Sequence, residues 1–324
     1  MIDLRYSALL LLAIASLPQG VATAVDAFPL RSVRMIVPYP PGGGTDIVAR
    51  VVSRPMSAAL KQTVVVDNRP GAGGINGTDI VAKALPDGHS IGTIIITHTT
   101  NPAMHAKLPF HPINDFAPIG LITKNAQLLV VNAALPVKSV AELIALAKSE
   151  KDDLIFASGG NGSPSHLAGE LLKASARINL LHVAYKGSAP AILDLLSGRV
   201  TINFSSLPAL LNFVKAGRLR ALASTGLTRS LLLPEVPTIA ESDFPGFEVS
   251  AWQGLVAPAK TPFQIIAALN KAAREAVNTP DVKEKLLAQG YEPAVGSPQE
   301  FSVYLRAEME KWGKVIRDHK IKAE

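Results

Sequence analysis

The sequence contains no cysteine among its 324 residues. This absence excludes disulfide bonds, metal sites with cysteine ligands, and a lipid-bearing cysteine at the end of a leader peptide. Seven histidines are present, but they show neither H-x-x-x-H nor H-E-x-x-H spacing. We therefore predict no metal site and no cofactor, and a mature chain that is free rather than tethered to lipid.

Familiar motifs of catalysis and nucleotide binding are also missing from the sequence. Neither a G-x-x-x-x-G-K-[ST] motif nor a G-x-S-x-G motif occurs. The run Gly71-Ala72-Gly73-Gly74 lacks the G-x-G-x-x-G spacing of a dinucleotide-binding loop, so we interpret it as a turn. We identify no catalytic residue, which argues against an enzyme.

Aromatic residues make up only 5% of the chain, and its basic residues are scattered rather than clustered with them. Nucleic-acid binding is therefore not predicted, although the formal net charge is +6. This mild positive excess would favour anionic ligands by long-range steering, but an ordinary solubility charge explains it equally well.

Long apolar runs are limited to the first 24 residues, which have the features of a secretory signal peptide. A weakly basic start at Arg5 is followed by an apolar core from Ala8 to Leu17 and by the small residues Ala22-Thr23-Ala24. The core is too short to span a bilayer. We expect cleavage after Ala24 and a soluble periplasmic protein; an uncleaved membrane anchor is the alternative.

Short apolar runs alternate with helical patterns through most of the chain, which predicts an α/β fold with mostly parallel sheets. Several runs are apolar throughout, as expected for strands buried on both faces. The predicted strands are Met35–Val37, Val64–Val66, Ile91–Thr97, Leu128–Val131, Leu154–Ala157 and Val200–Phe204. The predicted helices are Asp46–Leu60, Ile75–Ala84, Val140–Ser149, Ser165–Ser175, Ala189–Leu196, Pro262–Val277, Asp281–Gln289 and Pro298–Arg317.

The length and a hydrophobic content of 48% predict two domains. Two segments, Gly120–Gln127 and the proline-rich Gly226–Gly246, are candidates for the connections between them. We predict that domain 1 covers residues 25–122 plus 250–324, and that domain 2 covers residues 123–249. Two such connections form a hinge, and the cleft between the domains is the predicted ligand site.

The most informative motif is the first loop, Tyr39–Asp46, which joins a predicted strand to a predicted helix. Its glycines allow a tight turn and let a ligand approach main-chain N–H groups at the positive end of the helix dipole. These glycines are Gly42, Gly43 and Gly44. Such a junction is suited to a carboxylate or phosphate. Thr45 or Asp46 is the expected helix cap, and a tight turn before a capped helix is the alternative.

The second loop, Ser158–His166, has the same organisation. Ser163 followed by Pro164 is an N-cap followed by proline at the first helical position. Its polar side chains can donate hydrogen bonds to a carboxylate: Ser158, Asn161, Ser163 and Ser165. The alternative is a polar loop with a good cap. Two such loops point to a protein that binds small organic acids.

Two further short segments supply candidate ligand contacts. Lys186, after Tyr185, could pair with an anion, although a solvated surface lysine is the alternative. Thr97 and His98 stand at the carboxyl end of a predicted strand, where α/β sheets bind ligands. A lone histidine is more often a structural hydrogen-bonding residue.

An ordered series of motifs resembles the periplasmic solute-binding receptors of the tripartite tricarboxylate transporter system, the Bug family. The motifs are Pro38–Asp46, Asn68–Gly74, Pro86–Gly88, Gly160–Glu170, Ala184–Gly187, Leu219–Ala223, Pro234–Thr238 and Gly254–Pro258. The resemblance implies a two-domain Venus-flytrap fold of the type II periplasmic-binding class with a ligand cleft between the domains. It also implies that the first and second loops hold a ligand carboxylate, partly through ordered waters.

Two positions depart from the family pattern. Ala184 stands where proline usually precedes the tyrosine, and Asn203 stands where an aspartate is common. If Asn203 lines the cleft, the missing negative charge could alter ligand preference. The expected ligand-binding residues are Tyr39, Gly42, Gly43, Gly44, Thr45, Asp46, Thr97, His98, Ser158, Asn161, Gly162, Ser163, Ser165, His166, Tyr185, Lys186 and Asn203.

The sequence leaves three classes of function open. We expect a monomeric receptor that binds a carboxylate, with a dicarboxylate favoured by the two loops, and delivers it to membrane transporter subunits. A receptor that presents its ligand to a sensor kinase of a two-component system is the alternative, because the same cleft serves both roles. A periplasmic enzyme would need an activated nucleophile, an acid–base pair or a metal, and none is indicated.

Overall fold

The structure is a computed structural model that describes residues 28–149, 154–185, 187–230 and 232–318. The signal peptide predicted over residues 1–24 and the site residue predicted at Lys186 lie outside the described residues. Within the described ranges, no helix combines the length and the apolar character needed to cross a membrane.

Strands and helices alternate as the sequence predicts, with further elements that the sequence does not predict. The strands are β1 (Val33–Val37), β2 (Val64–Asn68), β3 (Ser90–Ile95), β4 (Phe116–Asn132), β5 (Ile155–Ser158), β6 (Leu181–Ala184), β7 (Ile202–Ser206), β8 (Leu219–Ser224), β9 (Ser250–Pro258) and β10 (Glu292–Pro293). The helices are α1 (Gly44–Leu60), α2 (Ile75–Ala82), α3 (Thr97–Met104), α4 (Val140–Lys148), α5 (Pro164–Ala176), α6 (Ser188–Leu196), α7 (Leu207–Lys215), α8 (Phe263–Asn278), α9 (Pro280–Ala288) and α10 (Pro298–Asp318).

The strands follow one continuous order, β2-β1-β3-β9-β4-β7-β5-β6, with β8 and β10 also pairing with β4. Parallel pairs lie at the two outer ends, where β1 pairs with β2 and β3 and β5 pairs with β6 and β7. The central pairs of β9 with β3 and β4, and of β4 with β7, are antiparallel. The prediction of mostly parallel sheets therefore holds for the outer strands and is wrong at the centre, where the chain passes between the two halves.

The long strand β4 carries the chain from the first half of the molecule to the second. It pairs with β9 from Phe116 to Ala126 and with β7 from Gln127 onward. Gly120–Gln127, a predicted connection between the domains, is therefore continuous strand. Its polar residues hide the strand pattern in sequence, but their backbone groups pair with the first residues of β9.

The return connection is irregular, as the sequence predicts. Between the end of β8 and the start of β9, the described residues contain no helix or strand beyond an isolated bridge from Ser224 to Thr238. The partner exchange in β4 and the start of β9 at Ser250 lie close to the predicted domain boundaries. The division into residues 25–122 plus 250–324 and residues 123–249 stays a prediction.

Helices cover the strands on both faces, which explains the apolar character of the strands. Met35 of β1 belongs to one buried cluster with Val52 of α1, whereas its neighbour Ile36 belongs to another with Val81 of α2. Successive strand residues point to opposite faces, so both faces of β1 must be apolar. In the second half, α5 packs against one face and α6 and α7 pack against the other.

Candidate functional site

A cavity of about 610 Å³ lies between the two halves of the molecule. This volume is within the range of small-molecule sites. The first half contributes the single helical turn after β2 and one face of α3, and the second half contributes the start of the second loop and the segment before α6. The wall is formed by Ala72, Gly73, Thr97, Thr100, Asn101, Met104, His105, Gly159, Gly160, Asn161, Gly162, Tyr185 and Gly187.

A second gap of about 540 Å³ lies between α7 and α9. Its wall is almost entirely apolar, and its one ionisable member is Glu284, whose carboxylate would repel an acid. The other residues of this wall are Leu207, Pro208, Leu211, Leu232, Leu287 and Ala288. The larger, more polar cavity is therefore the candidate site for an anionic ligand.

The wall from the first half is mainly one face of α3. Thr97, Thr100, Asn101 and Met104 follow helical spacing and therefore share a face. The sequence predicts no helix here, because its residues are polar and Pro102 falls within the run. Thr97, a predicted site residue, lies in the wall as expected.

His98 lies on the opposite side of α3, away from the cavity. Its ring stacks on Phe110 and meets the edge of Phe116, and its Nε2 is 2.7 Å from the carbonyl oxygen of Pro112. Burial lowers the pKa of His98 to about 4. The structure thus places this predicted ligand residue in the hydrophobic core.

The carboxylate of Asp46 holds the first loop in place through hydrogen bonds. It accepts them from the Gly42 N–H (2.9 Å), from Arg50 Nε (3.0 Å) and from Asn68 Nδ2 (3.0 Å). Burial opposes ionisation, but these hydrogen bonds hold the pKa of Asp46 below its ordinary value. The N-cap of α1 is Gly43 rather than Thr45 or Asp46, because the helix already begins at Gly44, and Asp46 reaches back to the loop from the first turn.

The first loop lies beside the described wall rather than in it. Tyr39 connects the two, because its hydroxyl shares a hydrogen bond with Thr97 Oγ1, and burial raises the pKa of Tyr39 to about 12. Gly44 packs against Tyr291 so closely that a Cβ would lie 2.0 Å from the phenol oxygen. By contrast, no described atom lies within 4 Å of a Cβ built on Gly42.

The hydroxyl groups of the second loop are hydrogen-bonded to neighbouring groups, most of them within the loop. Ser165 Oγ accepts from the Gly159 N–H (2.9 Å), and Ser158 Oγ accepts from the Gly160 N–H (3.2 Å). Ser163 caps α5 by accepting from the His166 N–H, which confirms the predicted cap. Asn161 is exposed in the wall, and donation from the serine hydroxyls to a ligand stays a prediction.

The other predicted residues of the second half are divided between the wall and the interior. Tyr185 lies in the wall, and its hydroxyl donates to Asp194 Oδ2 at 2.7 Å. His166 is buried beneath the second loop, where its Nδ1 accepts from the Gly162 N–H at 3.0 Å. Asn203 is buried in β7 and donates to the Ala157 carbonyl, so it lies behind the wall.

Sequence reasoning missed the part of the wall that comes from the turn after β2. Ala72 and Gly73 both have positive φ, at 47° and 62°, and Asn101 Nδ2 lies 3.5 Å from the Gly73 carbonyl oxygen. A signal was present, because Gly71–Gly74 also follows a strand and precedes a helix, as the first loop does. Thr100, Met104, His105 and Gly187 are also unpredicted, whereas Gly159 and Gly160 fall within the predicted second loop without having been named as ligand contacts.

The wall is polar but carries little charge. Among the described residues it contains neither a lysine or arginine nor a carboxylate, and His105 and Tyr185 are its ionisable members. In the ranges that the structure describes, no group of three or more histidine, aspartate or glutamate side chains is placed to hold a metal ion.

Residues 48–321 match the family model described as "Tripartite tricarboxylate transporter family receptor". The chain belongs to this family. Curated relatives agree: the receptor is 42% identical over 306 residues to a UPF0065 protein from the tcbD-tcbE intergenic region of Pseudomonas sp. (strain P51), covering 93% of this chain and 90% of that protein. It is 38% identical over 308 residues to the protein BugT of Bordetella pertussis (strain Tohama I), covering 92% and 93%.

Solved structures show the same fold. An R. palustris protein solved with adipate is 35% identical and has a TM-score of 0.75, with 91% of this receptor and 99% of that chain covered. MatC from Rhodopseudomonas palustris, solved with bound malate, is 32% identical with a TM-score of 0.72, covering 89% and 100%. The periplasmic binding protein BugD is similar too, at 33% identity and a TM-score of 0.73, covering 92% and 100%. These likenesses confirm the two-domain periplasmic-binding fold that the sequence predicts.

Proposed function

We propose that this receptor captures a small dicarboxylate in the cavity between its two halves and delivers it to the membrane subunits of a tripartite tricarboxylate transporter. The observation that carries the proposal is the convergence of three helix starts on the cavity. Thr97 is the first residue of α3, the second loop precedes α5, and Gly187 is the N-cap of α6. The positive dipole ends of such helix starts stabilise a bound anion.

The charge of the wall supports an anionic ligand further. Of the wall residues that the structure describes, none is an aspartate or glutamate that would repel a carboxylate. Neutral donors stand on both sides, with the hydroxyls of Thr97 and Thr100 on α3 and the amide of Asn161 on the second loop. A ligand held by neutral dipoles and helix ends is recognised by geometry, which suits a receptor that must later release it.

The position of the cavity supports a capture mechanism. Its wall is contributed by both halves, and the halves are joined by β4 and by the chain that returns to β9. A ligand that contacts both halves binds the closed arrangement more tightly than the open one, so binding shifts the population towards closure. In this proposal the protein acts in the periplasm as a monomer without catalysis.

The relatives suggest which acids to test first. Adipate and malate, the ligands named for two related structures, are both dicarboxylates. We expect the same chemical class here, because the cavity is large enough for two carboxylates and has helix starts on both of its sides.

Thermal unfolding with a panel of acids tests the proposal. The mature chain should first be unfolded and refolded to remove any acid that co-purifies. We expect malate, adipate or a related dicarboxylate at a hundred times its dissociation constant to add about 2.7 kcal/mol of stability, a shift of several degrees. Acetate at the same ionic strength serves as the control. A refolded protein that none of the dicarboxylates stabilises would contradict the proposal.

A further inference from the structure

Two histidines lie stacked beneath the cavity wall, outside the cavity itself. The rings of His166 and His182 are 3.9 Å apart between centroids and are inclined by only 7°. Phe156 continues the stack, with its centroid 4.6 Å from that of His182. His166 comes from the first turn of α5, which the second loop precedes, and His182 comes from β6, which Tyr185 and Gly187 follow, so the stack joins two elements whose adjoining loops form part of the wall.

Each imidazole is bonded to the wall by a ring nitrogen. His166 Nδ1 accepts from the Gly162 N–H at 3.0 Å. His182 Nε2 lies 2.7 Å from Ser158 Oγ, and the same oxygen accepts from the Gly160 N–H at 3.2 Å. Two of the four residues at the tip of the second loop are thus fixed by histidines, one directly and one through a serine hydroxyl.

We propose that His166 and His182 are positioning residues, which set the shape of the Gly159–Gly162 wall for the ligand without touching the ligand themselves. The inference about affinity rests on the proposed function, whereas the inference about the shape of the loop does not. It differs from the sequence prediction, in which His166 contacts the ligand.

The bond from Gly162 requires a neutral His166, because a protonated Nδ1 cannot accept a hydrogen bond. The surroundings keep both rings neutral. Burial, the neighbouring His182 and the charge of Lys173 lower the pKa of His166 to about 3, and burial and Lys173 lower the pKa of His182 to about 4. Glu170 is the facing carboxylate, with Oε1 3.9 Å from His166 Nε2 and 2.8 Å from Lys173 Nζ.

Shape at this point matters because Gly162 lies close to the opposite wall of the cavity. Gly162 has φ of 70°, and a Cβ there would lie 2.9 Å from Cε of Met104 on the opposite half. The loop tip therefore meets the α3 face directly across the cavity. A shift of Gly162 changes the distance between the two walls, and with it the fit of any ligand that bridges them.

Two substitutions at position 166 separate the roles of the acceptor and the ring. His166→Asn keeps an acceptor oxygen near the position of Nδ1 but removes the stacked ring. His166→Phe keeps a flat ring over His182 but removes the acceptor. The measurements are amide hydrogen exchange at Gly162 by NMR at pH 7.5, the dissociation constants of malate and adipate by calorimetry, and the melting temperature.

In His166→Phe the Gly162 N–H loses its hydrogen-bond partner. We therefore expect the exchange rate of the Gly162 amide and the dissociation constants of malate and adipate to rise by about tenfold. His166→Asn should retain both protection and affinity to within about threefold, which a purely structural stacking role would not predict. Unchanged exchange at Gly162 in His166→Phe would overturn the proposal, as would an equal loss of affinity in both variants.

A second pair of variants covers the case in which His166→Phe does not fold. His182→Gln keeps a polar atom that can bond to Ser158 Oγ, whereas His182→Phe does not. We expect faster amide exchange at Gly160 in His182→Phe than in His182→Gln. Equal exchange in these two variants would again overturn the proposal. If the wild-type protein binds neither acid, the proposed function fails for these ligands while the exchange measurement still decides the positioning role.

Discussion

The first loop and the second loop both join a strand to the start of a helix, and both are rich in glycine. They are held by different chemistry. An ionised carboxylate closes the first loop, where Asp46 binds the Gly42 N–H, Arg50 and Asn68. Neutral hydroxyls and imidazoles hold the second loop, where His166 and Ser158 accept from glycine N–H groups. Similar local sequences can therefore be held by a charged group in one loop and by neutral groups in the other.

This difference separates the two loops in their response to acid. The pKa of Asp46 is lowered, so its contribution to stability is present above its unfolded pKa and is lost only as pH falls through the folded value. The pKa of His166 is lowered from 6.5 to about 3, so as the pH falls this residue binds a proton in the unfolded state before it does so in the folded state. The contribution of His166 to the free energy of unfolding therefore begins to fall near pH 6.5. The contribution of Asp46 in the first loop is lost only at a lower pH.

The largest expected effect comes from removing the carboxylate of the first loop. Asp46→Ala removes a buried carboxylate that accepts three hydrogen bonds, from the Gly42 N–H, Arg50 and Asn68. We expect a loss of about 3 kcal/mol in the free energy of unfolding, measured by urea denaturation at pH 7.5. Asp281→Ala, which removes an exposed ion pair with Lys285, is the matched control and should cost less than about 0.5 kcal/mol. Similar losses in both variants would show that Asp46 does not close the loop.

An intermediate loss in the free energy of unfolding is expected when the pH is lowered, because of His166 in the second loop. Between pH 7 and pH 5 the wild-type free energy of unfolding should fall, with about 2 kcal/mol of the fall due to His166 alone. Urea denaturation at several pH values measures this slope. His166→Asn should show a shallower slope over the same window, because the titrating group is gone. Parallel slopes for the two proteins would contradict the assignment of this acid sensitivity to His166.

The smallest free-energy effect is expected at the exposed tip of the first loop. Gly43 has φ of −77° and ψ of 165°, which other residues adopt, and the nearest atom to a Cβ is the Pro40 oxygen at 3.5 Å. Gly43→Leu should therefore leave the melting temperature nearly unchanged. It should weaken dicarboxylate binding by at least about tenfold, about 1.4 kcal/mol, if the first loop contacts the ligand. Unchanged affinity by calorimetry would remove the first loop from the site.

Local patterns in the sequence predict most elements of the outer sheets. Apolar runs such as Met35–Val37 and the helical pattern from Asp46 to Leu60 are strong because both faces of the strands, and one face of each helix, are buried. The helix α3 was missed because its residues are polar and face the cavity. The first half of β4 was missed because Lys124 and Asn125 interrupt the apolar pattern while their backbone pairs with β9.

The candidate site was predicted in part. Thr97, Asn161, Gly162 and Tyr185 lie in the wall, as expected for residues at the carboxyl ends of strands. His98 and His166 have the same polar character in sequence but point into the interior, because the register of α3 and α5 turns them away from the cavity. One sequence gives residue types and spacing, and it does not give the rotation of a short helix about its axis.

The sequence by itself determined the α/β alternation, the family and the two strand–loop–helix junctions, since these depend on local periodicity and on glycine and proline at fixed positions. Only the tertiary structure decided which residues meet across the cavity. That choice depends on β4 and β9 bringing residues far apart in the chain, such as Met104 and Gly162, into contact. Such contacts leave no local periodicity in the chain, because the packing of the two halves against each other creates them.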